Sequence, residues 1–81
     1  MTSLPWQEDV SSGVWFNHGV AHSLYAYRNE KRERWLWLLV TPGGCWTSHP
    51  IFVTAALAME KAEGFLHDIM EDIRGAIAEE L

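Results

Sequence analysis

The chain is expected to fold as an α+β domain, an antiparallel meander of three or four strands followed by one long C-terminal helix packed on one face. Three observations lead there. The first half of the chain alternates in polarity with a period near two, the mark of a strand with two distinct faces. Turn-forming clusters punctuate it at Asn17-His18-Gly19, Asn29-Glu30-Lys31-Arg32 and Pro42-Gly43-Gly44. After Phe52 the period changes: Ala58, Ala62, Phe65, Leu66, Ile69, Ile73, Ala76 and Ile77 recur at three- and four-residue steps.

Taken in order, residues 1–12 read as an irregular arm in which Leu4 and Trp6 can anchor. Gly13 to Asn17 reads as a short strand, and Asn17 to Gly19 as a turn or bulge, because Asn and Gly tolerate positive φ. Val20 to Arg28 alternates as a second strand. Glu33 to Thr41, β-branched and aromatic toward its end, is the clearest strand. Cys45 to Ser48 starts a fourth, ended near His49-Pro50 because the residue before proline is restricted. Together residues 13–52 form the sheet and residues 54–81 an acidic amphipathic helix, within a single domain over 1–81. Thr54 is a fitting N-cap, since its hydroxyl can accept a bond from a free first-turn N–H.

An 81-residue chain makes one domain with a core of limited size. No apolar run approaches the roughly 20 residues that span a bilayer, and Met1 to Pro5 lacks the basic and apolar stretches of a signal peptide. The single Cys45 rules out an internal disulfide and fits a reducing compartment. These features predict a cytoplasmic protein without membrane partners. Charge is uneven. Residues 1–53 carry four acids (Glu8, Asp9, Glu30, Glu33) and four bases (Arg28, Lys31, Arg32, Arg34); residues 54–81 carry the whole formal charge of -5. An acidic helix on a neutral sheet disfavours direct nucleic-acid binding, which needs a basic surface, and suits a protein partner with one.

All five tryptophans lie within the first 46 residues. Splitting each strand by alternation gives Leu36, Leu38 and Val40 on one side of the third strand and Trp35, Trp37 and Leu39 on the other. The second strand splits into Val20, His22, Leu24 and Ala26 against Ala21, Ser23, Tyr25 and Tyr27. Aliphatic sets suit the underside of the helix. The expectation is therefore an outer aromatic face of Tyr25, Tyr27, Trp35 and Trp37, joined by Trp15 and Trp46. One helix covers one side of a sheet, so such a face would need the folded-back arm, a second copy in a homodimer, or a foreign protein. On the helix, Glu60, Gly64, His67, Asp68, Glu71, Gly75 and Ala78 project opposite the apolar stripe, and Gly64 would let a partner approach closely beside Asp68 and Glu71.

Signals for chemistry are weak. His18 and His22 have a helical zinc spacing, but on a strand they would stand about 13 Å apart. Cys45 and His49 lack an evident orienting acid, and no phosphate loop or dinucleotide fingerprint is present. No catalytic, cofactor or metal residue is assigned. In size, acidity and lack of motif the whole chain resembles small phage- and plasmid-borne inhibitors of the anti-CRISPR type. That resemblance implies a non-enzymatic protein that blocks a surface of a larger nucleic-acid-binding complex, and it transfers no residue roles. Two alternatives stay open: an antitoxin or immunity-type neutraliser, and a small dimeric enzyme or ligand-binding protein with a site near His22 and Cys45.

Overall fold

Each turn cluster in the first half of the chain marks a hairpin, although Asn17 and His18 still belong to a strand and the turn itself spans residues 19–22, so the following strand starts at Ser23 rather than Val20. In the computed structural model the strands are β1 (Gln7–Asp9), β2 (Val14–His18), β3 (Ser23–Arg28), β4 (Trp35–Thr41) and β5 (Gly44–Thr47). They form one antiparallel sheet in the order β1-β2-β3-β4-β5, followed by α1 (Ala55–Glu80). The structure describes residues 4–80, with side chains described through residue 70. The meander and the long C-terminal helix packed on it agree with the α+β expectation. The sheet has one strand more, because β1 lies inside the stretch read as an irregular arm. Its sequence Gln-Glu-Asp has neither alternation nor β-branched residues, so only pairing with β2 makes it a strand.

Turn chemistry sets the register. Gly13 sits at φ 74°, and its N–H donates to the Asp9 carbonyl to close the first hairpin. The Asn29 side-chain oxygen accepts from the backbone N–H groups of Glu33 and Arg34, holding the tip between β3 and β4. Within that tip Arg32 adopts φ 55°, a left-handed conformation that is uncommon for a residue with a Cβ. The resulting pairing places Leu24 opposite Leu39, Ala26 opposite Trp37, and Tyr25 opposite Leu38.

Thr54 caps α1 as expected: its Oγ1 accepts from Leu57 N at 3.2 Å and its carbonyl from Ala58 N. The helix lies across β3 and β4. Its inner side is Ala58, Met59, Ala62 and Leu66, meeting Leu24, Ala26, Trp37 and Leu39. Leu24 and Leu39 are fully buried, each worth about 1.5–3 kcal/mol of transfer free energy. The arm completes this layer. Leu4 and Trp6 pack against the helix-side core, and the Trp6 indole N–H donates to Glu63 Oε2 at 2.6 Å. The Leu4 N–H approaches the same oxygen at 3.4 Å. Charge-assisted bonds of this kind contribute about 1.5–3 kcal/mol. Glu63→Ala is therefore expected to lower stability by about that amount, with Glu63→Gln intermediate because it keeps an acceptor. Urea midpoints of the three proteins check it.

Candidate functional site

Register decides which side chains share a face, and it corrects the aromatic assignment. Trp35, Trp37 and Leu39 lie on the helix side with Leu24 and Ala26, not on the outer side. Trp37 is buried and stacks on Phe65 at 4.8 Å between ring centroids. Trp46, paired with Leu39, is also on the helix side, 6.0 Å from the Phe65 ring. Trp15 pairs with Ala26 and packs against the same layer. The physical reason is volume. The helix offers small Ala58 and Ala62 at its contact, leaving a shallow groove that bulky indoles fill and leucines alone would not. The arm also serves this side, so it does not act as a lid on the other.

What the helix leaves uncovered is a different apolar face. Its central row is Phe16, Tyr25 and Leu38, partners across β2, β3 and β4. Tyr27 and Leu36 form the next row, and Val14 and Val40 lie at the margins. Tyr25 and Tyr27 are thus where the sequence placed them. Phe16, Leu36, Leu38 and Val40 replace the tryptophans. Among the described residues no helix or loop packs over this face; its side chains are half-buried by one another, and Val40 is 39% exposed. The His18 ring meets Phe16 and Tyr25 edge-on at 5.2 and 5.7 Å. Charge is sparse here. Asp9 is at the β1 edge, where the Ser11 hydroxyl binds its carboxylate at 2.7 Å and holds its pKa below the ordinary 3.8.

Other candidates are dispersed. His22 sits on the helix side, its Nε2 2.9 Å from Asn17 Oδ1, and Asn17 Nδ2 donates to the Pro5 carbonyl at 3.3 Å. This fixes the one buried polar side chain among the described residues. Gly19 permits it: a Cβ there would collide with the His22 ring. Burial, and secondarily the charge of His18, lowers the His22 pKa from its ordinary 6.5. The stabilisation tied to neutral His22 is present above 6.5 and is lost as pH falls through the lowered value. His18 is on the opposite face, bonded to Ser23 Oγ at 3.1 Å, so the two histidines do not converge. Exposed Cys45 pairs with Val40 in the edge strand β5, on the face away from His22. His22 and Cys45 therefore do not line one pocket. Among the described residues no group of three His, Cys, Asp or Glu could hold a metal ion.

On the outer side of α1, Glu60, Gly64, His67 and Asp68 are exposed as expected, and nothing lies where a Gly64 Cβ would go. Glu71 and Gly75 fall where side-chain surroundings are not described. At the other end of the sheet an open cleft of about 600 Å³ lies between the two hairpin tips, lined by Trp15, Tyr27, Arg28, Arg32 and Trp35 with Glu8 and Glu30. The Arg28 guanidinium already covers the Trp35 ring at 5.0 Å, so its cation–π site is filled from within. No described helix is long and apolar enough to cross a membrane. Comparison with known proteins finds no matching family model, no similar curated protein and no similar solved structure.

Proposed function

We propose that this is a non-enzymatic protein-binding protein, working by occupying a surface of a larger protein. The observation that carries this reading is the helix-free sheet face: Phe16, Tyr25, Tyr27, Leu36 and Leu38 form one continuous apolar surface. Uncovered faces of this kind mark interaction sites, and tyrosine and phenylalanine are enriched at them. The acidic helix supports a target with a basic surface, since Glu60 and Asp68 stand exposed on its outer side. An inhibitor of the anti-CRISPR kind, blocking a nucleic-acid-binding complex from the cytoplasm, is the specific form proposed. Neutralisation of a toxic enzyme is the second form, and it uses the same two surfaces.

The test is affinity capture with the full chain, comparing the native protein with Tyr25→Asp and with the pair Glu60→Lys and Asp68→Lys. A specific partner whose capture falls at least tenfold in either variant agrees with the proposal. Capture indifferent to both surfaces, or no protein partner at all, would overturn it.

A further inference from the structure

We infer that the helix-free sheet face is covered by a second copy of the same chain, giving a face-to-face dimer with the two helices outermost. The inference rests on the reading that protein covers this face, and it names the occupant. Three observations support a second copy.

The first is size. Strands about 4.8 Å apart and up to seven residues long give a footprint of roughly 400 Å² in flat projection. Closing two such faces buries on the order of 1,000 Å² once side-chain relief is counted, about the least that a specific interface needs. A second copy supplies a patch of matching size and apolar character without any further requirement. The two copies also interleave their corrugations, as sheets do when they stack about 10 Å apart.

Charge is the second. The sequence through residue 53 is formally neutral, and the row of Phe16, Tyr25 and Leu38 holds no ionised side chain, Asp9 standing at the β1 edge of the next row. The entire -5 lies in residues 54–81, and α1 packs on the opposite side of the sheet. Stacking two sheets puts those helices on the order of 30 Å apart, several screening lengths at physiological salt, so like charge does not oppose the pairing.

The third is the character of the edges. β1 is three residues long with Glu8 and Asp9, and β5 is four residues long, so neither edge offers a long uncharged strand for continuing the sheet into another chain. Self-association is thereby directed to the face. A two-fold dimer of this form assigns target contact to the outward acidic helices, and the sheet face then serves the target by pairing the two copies.

Sedimentation velocity of the full chain, in the micromolar to submillimolar range, tests the inference together with a dye that fluoresces on apolar surfaces. The native protein is expected at twice the 9.3 kDa chain mass, with little dye bound. Leu38→Asp is expected at one chain mass with an unchanged far-ultraviolet spectrum, because the side chain points away from the core. Val40→Lys, at the exposed margin, provides the same readout should Leu38→Asp not fold. A native dimer insensitive to both substitutions overturns the inference. A native monomer that binds dye through this face, losing it in the variants, overturns the second copy alone and leaves a foreign partner. A native monomer that binds no dye overturns the reading of the face as well.

Discussion

A Trp37→Ala protein is expected to lose about 3–5 kcal/mol of folding stability, the usual result of emptying a buried tryptophan site. Trp37 is 8% exposed, stacks on Phe65, and sits beside Leu24, Leu39, Ala62 and Leu66 in the helix-side core. Ala62, which meets it from the helix, is too small to fill the void. A domain of this length has a total stability of roughly 4–12 kcal/mol, so the loss takes a large share of it. Chemical denaturation followed by far-ultraviolet circular dichroism measures it. A loss under about 1 kcal/mol would mean that the indole lies on the outer face, where assigning the aliphatic sets to the helix would put it.

That contrast shows what the sequence made legible. The helix was readable from its period and from Thr54, and its bounds agree with Ala55–Glu80. The hairpins after β2, β3 and β4 were readable from the Gly19, Asn29 and Pro42-Gly43-Gly44 clusters, whereas Gly13, read as the start of a strand, instead turns the first hairpin. The face of β4 was not, because Trp35 to Val40 is apolar at every position, so both phases of its alternation look equally core-like. Only the register across the 29–34 tip resolves it, by placing Leu39 beside Leu24. A slip of one residue in that tip would turn every side chain of β4 over. β1 was invisible for another reason: its three polar residues have no strand propensity, and their pairing with β2 comes from the Asp9–Gly13 turn. Tyr25 and Tyr27 were placed correctly because the aliphatic Leu24 and Ala26 of the other phase do meet the helix. The helix-side role of Trp6 was half legible. It was seen as an anchor, but its bond to Glu63 depends on a contact fifty-seven residues away in sequence.

The two neighbours Leu38 and Leu39 hold the account together, since each represents one face of the same strand. Leu39 has no exposed surface, and an aspartate there would bury a charge without a partner. The expected result is a chain that does not fold at neutral pH, the penalty of several kcal/mol adding to the lost packing. Leu38 points to the uncovered face, where a carboxylate stays hydrated. Leu38→Asp should therefore keep the native fold while forfeiting the association of that face. Far-ultraviolet circular dichroism of Leu38→Asp and Leu39→Asp, prepared side by side and melted, is the most direct check. A folded Leu38→Asp beside an unfolded Leu39→Asp is the predicted outcome; the reverse pair would put the leucines of the open face under the helix and contradict the account.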